Sequence, residues 1–526
     1  MKLIYNVKDR PKVGQTIVFA LQQLLAIMAA TLVVPVIIGH GMQPTAALFG
    51  AGVGTLVYLL FTKFRSPVFL GSSFAFLGSM AAAFAGGVSM AVGYLGLIIG
   101  AIFAGLVYVV IALVVKFAGT KWINKLMPAV VIGPTVAIIG LSLAGNAIGD
   151  LQKVNYVQPH DPAAYQVVTL NNAYGTDENG AVIAEGASID SYIVVDKDVD
   201  ASKPIPAENI HNEISVSENE DGTFTLTSVP GSSKVAIVCG LVTLAVTMIC
   251  SVYAKNKSIF RLIPFIIGIC AGYVCALIFY FIGKAAGNPA LMIIDLTPFS
   301  RLLVDGKVAV TTFVDLPKFT FLTALGGFKE INGAYIGTIA AAYIPVAFVV
   351  FAEHIADHKN ISSIIEKDLL EDPGLHRTLL GDGVGSIAGA FFGGCPNTTY
   401  GESIGCVAIT GNASIITILF AACGAILISF LSPFVAFVNS IPSCVMGGVC
   451  MALYGFIAVS GLKMVQKVDL EDNRNLFVVS VILIAGIGGL AISFGKVTIT
   501  EVACALILGI LTNLILSGKK SKKENK

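Results

Sequence analysis

Charge is scarce in this chain: of 526 residues, 12% are Asp, Glu, Lys or Arg and 56% are apolar. A water-soluble globular domain carries about 25% charged residues, so the deficit argues against a soluble domain and for a protein built for the bilayer. Cysteines are missing from the places where a disulfide framework would need them. All ten (Cys239, Cys250, Cys270, Cys275, Cys395, Cys406, Cys423, Cys444, Cys450 and Cys504) lie in or beside apolar runs, and none lies in the large polar segment. Buried thiols behave as small apolar side chains, which leaves neither a disulfide framework nor a cysteine metal site. No cleavable leader is expected, because Met1–Gln15 is largely polar and basic and the apolar run after it is too long for one. The net charge of +1 offers no basis for a nucleic-acid partner.

What the chain does have is apolar runs of bilayer length, for which about 20 residues are needed. We read fourteen: 14–39, 44–62, 67–86, 90–117, 123–148, 234–254, 259–284, 333–357, 377–394, 398–411, 413–435, 441–461, 476–494 and 499–517. The third, ninth and tenth are short or interrupted by Gly, Pro and polar residues. Lys and Arg accumulate in cytoplasmic loops. Here they precede the first run (Lys2, Lys8, Arg10, Lys12) and follow the second, fourth, sixth, eighth, twelfth and fourteenth. The loops after runs one, three and eleven have none, and Lys496 after the thirteenth is a lone exception. Both termini are therefore expected in the cytoplasm, with the chain in the cell's inner or plasma membrane.

This organisation divides the chain into spans one to five (1–148), an extracytoplasmic insert (149–233), spans six and seven (234–284), an outer loop (285–332), spans eight to fourteen (333–517) and a basic cytoplasmic tail (518–526). From 151 to 233 the insert holds three lysines against thirteen acids, a net charge of −10. Its alternating Glu213–Val229 stretch, with a Glu220-Asp221-Gly222 turn, predicts a β-hairpin. Tyr165–Leu170 and Ser191–Val195 predict further strands, so the insert reads as a small β-rich decoration. A second hairpin is predicted at Leu302–Val310 around Asp305-Gly306.

Fourteen spans split into seven and seven, and an odd number per half inverts the second half, as in many secondary transporters. The fold class expected is thus an all-α polytopic membrane protein with a 7+7 inverted repeat, plus two short strands in broken segments three and ten. Those segments are Pro67–Phe76 and Cys395–Glu402, each opening with β-favouring or turn residues before becoming helical. Extended backbone at bilayer depth is tolerated only where protein or a cavity satisfies it. Two such segments meeting at the midplane can pair, turning two helix N-termini with their positive dipole ends toward a shared pocket for a small polar ligand.

Carboxylates sharpen that expectation. Glu353 ends the apolar run 331–352, and Glu402 follows the Gly/Pro-broken stretch 386–401. An ionised group at bilayer depth costs at least about 2.5 kcal/mol and usually faces a water-filled pathway. In Glu353-His-Ile-Ala-Asp-His358, Glu353 and Asp357 share one helical face and the two histidines share the next. Histidines at i and i+4 look like half a zinc site, but the protease pattern places Glu after the first His. Here Glu precedes it and no third ligand is apparent, so no metal or cofactor is expected. His358, beside Lys359, reads as an interfacial residue. Asp382, between Gly381 and Gly383, is either a helix cap or part of the carboxylate network. Glu402, next to a Gly401 that lets backbone approach a ligand, either binds substrate or serves structure. A carboxylate that exchanges a proton in a dry cavity can couple import to the proton gradient. A nucleobase edge, with adjacent N–H and C=O groups, matches a carboxylate plus backbone amides.

Several motifs, taken together and in order, give this pattern a relative. Gly71-Ser-Ser-Phe-Ala-Phe76, Ala352-Glu-His-Ile355, Asp372-Pro-Gly-Leu-His-Arg377, Pro396-Asn-Thr-Thr-Tyr-Gly-Glu402 and Met446-Gly-Gly448 resemble the nucleobase–ascorbate transporter family, its bacterial uracil carriers in particular. The resemblance covers every span but not the acidic insert. It implies core and gate domains that work as a homodimer by alternating access, importing uracil with protons. It also implies substrate contacts from Glu353 and Glu402, backbone contacts at Phe74 and Gly401, a gate-side Tyr454, and proton coupling through Glu353 with Asp357 and Asp382. Asp357 and Asp382 stand where some uracil carriers have His and Asn, which looks more like the xanthine and urate branch. Glu402 matches uracil carriers where purine carriers commonly have Gln, while Ser403 replaces the usual Asn. Uracil leads, and a xanthine or urate symporter is the alternative. An anion channel or exchanger on the same scaffold is the reading from a different class.

Overall fold

The computed structural model describes residues 3–119, 122–123, 127–154, 231–254, 260, 263–300, 302–303, 307–494 and 497–517. Of the insert it describes 165–170, 175–176, 182–183, 191–199, 205, 215–218 and 224–227. The helices are α1 (Val13–Ile38), α2 (Pro44–Phe61), α3 (Leu77–Ala83), α4 (Met90–Ala118), α5 (Ala129–Ser142), α6 (Ala144–Gln152), α7 (Ser233–Tyr253) and α8 (Pro264–Ala286). After short helical turns in the outer loop come α9 (Gly333–Ile365), α10 (Leu375–Gly393), α11 (Gly401–Thr410), α12 (Ile415–Ile428), α13 (Ser432–Asn439), α14 (Ser443–Val465), α15 (Asn473–Ile487) and α16 (Glu501–Ser517). Among the described residues, eight helices are long and apolar enough to cross a membrane, counting α5 and α6 as one. The chain is a mostly helical, multi-pass membrane protein.

Local chemistry marks where the long helices begin and end. Pro44 occupies the first turn of α2, where its missing N–H costs nothing. Ser89 and Asn332 cap α4 and α9 by accepting from the Val92 and Tyr335 amides. Gly394, in the left-handed region, stops α10 before the second broken segment.

The helices sort into two packed groups. One gathers α1–α4 with α9–α12, and the other gathers α5–α8 with α14–α16. Without a hydrophobic drive between helices in lipid, close packing depends on small residues. On α10, Gly381, Gly385, Gly389 and Gly393 recur every fourth residue and let α2 approach: a Cβ at Gly385 would sit 2.7 Å from the Gly54 carbonyl. One at Gly389 would meet the Asn397 amide at 2.2 Å. Gly389→Val should therefore destabilise the protein by about 1–3 kcal/mol through overpacking, read as a lower detergent-phase melting temperature. An unchanged melting temperature would show that this contact relaxes without cost.

The broken segments behave as the sequence suggests. Leu70–Ser72 (β1) and Asn397–Thr399 (β8) form an antiparallel pair, with Leu70 opposite Thr399 and Ser72 opposite Asn397. In the insert, Tyr165–Leu170 (β2) pairs with Ser191–Asp196 (β5), Gly175–Thr176 (β3) with Val182–Ile183 (β4), and Ser215–Glu218 (β6) with Phe224–Thr227 (β7). The 220–222 turn lies outside the described residues.

Three readings need correction or addition. The stretch 476–494 is not helical throughout: Gly488 and the left-handed Gly489 end the helix, and Ile492–Phe494 (β9) then pairs with Val497–Ile499 (β10). The predicted hairpin at 302–310 has its centre, 304–306, outside the described residues; Lys307 makes a β-bridge, and the chain then enters a 3-10 turn at Val310–Thr312. The Asp372…Arg377 motif builds the turn between α9 and α10. There, hydrogen bonds from Lys367 and Arg65 hold the Asp372 carboxyl below the usual carboxylate range.

Candidate functional site

The β1–β8 pair is fixed from both flanks by side chains. Leu70 N–H donates to Thr55 Oγ1 at 3.0 Å, Tyr400 Oη donates to the Ser72 carbonyl at 2.7 Å, and Asn397 Nδ2 donates to the Gly50 carbonyl at 3.1 Å. Ser403 on α11 accepts from the Phe69 amide at 3.0 Å and from Gln23 of α1. Backbone that would be unsatisfied in lipid is thus paired inside protein. Each strand then turns into helix, β1 through a 3-10 turn at Phe74–Phe76 and β8 directly into α11.

The acids gather at this junction. Asp357 accepts a 2.7 Å bond from Thr399 Oγ1, which ties α9 to β8. Glu353, one turn earlier, lies within electrostatic range of Asp357, Glu402 and Asp382. Glu353, Asp357 and Glu402 are only half-buried although helices surround them, so all three border open space inside the protein. Gly401 and Gly455 of α14 are exposed, and a Cβ at either, or at the half-buried Gly405 of α11, would meet nothing within 4 Å. Phe74 and Tyr454 come from different helix groups and meet edge-on, with centroids 5.5 Å apart at 82°. Tyr454 Oη is buried beside the Cys450 thiol, a weak partner that leaves the hydroxyl able to bond a polar ligand.

One open alternative is resolved and one sequence-based expectation is overturned. Asp382 is not a helix cap: it lies within α10, 1% exposed, with its Oδ2 2.6 Å from His354 Nδ1. His358 is not interfacial but fully buried, with Nε2 2.7 Å from the Tyr58 hydroxyl and Nδ1 2.8 Å from the His354 carbonyl. Its helical spacing from His354 was visible, but its partner Tyr58 is 300 residues away in sequence. Gln23, Thr399 and Tyr58 were missed altogether, since a polar residue in an apolar run shows no partner by itself.

Helices of bilayer length packed around paired broken segments, with acids beside them, fit a membrane transporter, and the family and relatives point to a transporter rather than an enzyme. A model of the Permease family matches residues 14–173 and 224–493, and the chain belongs to that family, the nucleobase–ascorbate transporters. It is 35% identical to the uracil permease of Bacillus caldolyticus, over 100% of this chain and 97% of that protein. Identity is 35% to the uracil permease of Bacillus subtilis, covering 99% and 97%, and 32% to that of Escherichia coli K12, covering 97% and 93%. Among solved structures, the transmembrane domain of the cyanobacterial bicarbonate transporter BicA is similar with a TM-score of 0.53 at 13% identity, covering 98% of this chain and 100% of that one. SLC26A9 is similar with a TM-score of 0.56 at 10% identity, covering 98% and 67%. At such identities these two speak for the fold alone.

Proposed function

We propose that this protein imports uracil with protons across the cytoplasmic membrane by alternating access. The observation that carries the proposal is the convergence of Glu353, Asp357 and Glu402 on open space beside the paired broken segments. The uracil permease relatives, alike over nearly the whole chain, support the choice of base. Glu353 and Glu402 accept from the ring N–H groups of uracil, and the backbone at Phe74 and Gly401 contacts the carbonyl edge. Phe74 and Tyr454 lie against the flat ring. Glu353 carries the proton, with Asp357 as its neighbour on the same helical face.

In this reading fourteen spans form a 7+7 inverted repeat, with 1–4 and 8–11 as core and 5–7 and 12–14 as gate. The division of the helices into two packed groups supports it. Both termini lie in the cytoplasm, the acidic insert lies outside, and two copies assemble as a homodimer.

Competition binding tests the substrate. Labelled uracil bound to purified protein should be displaced by unlabelled uracil far better than by xanthine or bicarbonate. Preferential displacement by xanthine would favour the purine branch, and by bicarbonate an anion carrier. Gly401→Ala should keep the wild-type melting temperature, since its methyl meets nothing, yet weaken uracil binding about tenfold by filling ligand space. Wild-type affinity in that variant would place the base elsewhere.

A further inference from the structure

His354 and Asp382 face each other at 2.6 Å in a sealed part of the core, 0% and 1% exposed. The short contact and the neighbours of each atom point to one arrangement of hydrogens. Thr378 Oγ1 donates its one hydrogen to the Leu375 carbonyl at 3.0 Å, so it can offer only a lone pair to His354 Nε2, also at 3.0 Å. In this arrangement His354 Nε2 carries the hydrogen of that contact. A neutral imidazole has no second one, which leaves Nδ1 as a bare lone pair facing Oδ2. Two lone pairs do not approach to 2.6 Å, so a proton lies between them.

That proton has two possible seats. On Nδ1 it would leave Asp382 ionised, with Oδ1 buried and without any partner. A bare anionic oxygen in a sealed interior is heavily penalised, whereas a neutral acid carbonyl tolerates the same place at far lower cost. The titratable groups around the pair are Tyr108 of α4, edge-on to His354 with centroids 6.1 Å apart, Tyr58 of α2, and Glu353, Asp357 and His358 of α9. None of these is a lysine or arginine that would compensate an anion.

We propose that His354 and Asp382 form a closed dyad that keeps one proton, as Asp382 Oδ2–H donating to His354 Nδ1, throughout the transport cycle. Asp382 is then a positioning residue, acting through His354 on the α9 turn that bears Glu353. The moving proton belongs to the half-exposed acids. The dyad's proton rests on the short contact and the unpartnered Oδ1, while the positioning role rests on the transport reading above.

Infrared spectra of the purified protein separate the two. The carbonyl stretch of a protonated carboxylic acid should persist to pH far above the ordinary carboxylate range, shift in D2O, and vanish in Asp382→Asn. Absence of a band that this substitution removes would overturn the dyad whether or not the protein transports uracil. In vesicles, Asp382→Leu should lose gradient-driven accumulation more than about tenfold, the scale of an unsatisfied buried imidazole nitrogen. Asp382→Asn, whose amide N–H can donate to Nδ1 as the acid does, should rescue it with the wild-type pH profile. Loss of accumulation in Asp382→Asn with uracil binding intact would show that the Asp382 proton moves.

Discussion

Glu353→Gln is expected to fold, to bind uracil more weakly, and to lose proton-driven accumulation altogether. The amide keeps the size of the carboxyl but cannot take up and release a proton, so a gradient has nothing to act on at this position. Glu353 borders open space and shares one helical face with Asp357, close to Glu402. Uptake in vesicles with an inward proton gradient should fall to the level of passive equilibration, while exchange of internal for external uracil survives in part. Normal accumulation in this variant would exclude Glu353 as the proton carrier and shift that role to Asp357.

Glu402→Gln is expected to act on recognition more than on coupling. Glu402 stands in the first turn of α11 beside the exposed Gly401, where a carboxylate favours the positive end of the helix and accepts from a ring N–H. Gln presents one acceptor and one donor in the same space, so the hydrogen-bond pattern offered to the base changes. Losing a hydrogen bond to a charged group costs about 1.5–3 kcal/mol, which corresponds to a ten- to hundredfold weaker uracil affinity. Xanthine should gain relative to uracil. Calorimetric titration with both bases would measure the change, and unchanged affinity and preference would remove Glu402 from the site.

Much of this architecture could be read from the chain because bilayer physics is restrictive. Apolar length sets the helices, and extended backbone at depth needs a partner, so two interrupted segments in corresponding places implied each other before their register was known. The acids were legible for the same reason: Glu353 and Glu402 stand out against apolar surroundings. Long-range polar pairing was not legible. Asp382 between two glycines resembles a cap, yet those glycines serve packing, Gly381 against Tyr58 of α2 and Gly383 against Tyr108 and Gly105 of α4. His358 beside Lys359 resembles an interfacial residue, because the sequence gives no sign that Tyr58 will face it across the core. The strand at Ile492–Phe494 was hidden inside an apolar run, where periodicity cannot separate a short strand from the end of a helix.

Uptake of labelled uracil into proteoliposomes under an imposed inward proton gradient tests the central claim most directly. Internal uracil should rise well above the external concentration and drop to equality when a protonophore is added. Uptake that never exceeds the external concentration, or that ignores the protonophore, would contradict proton-coupled import through the converging acids.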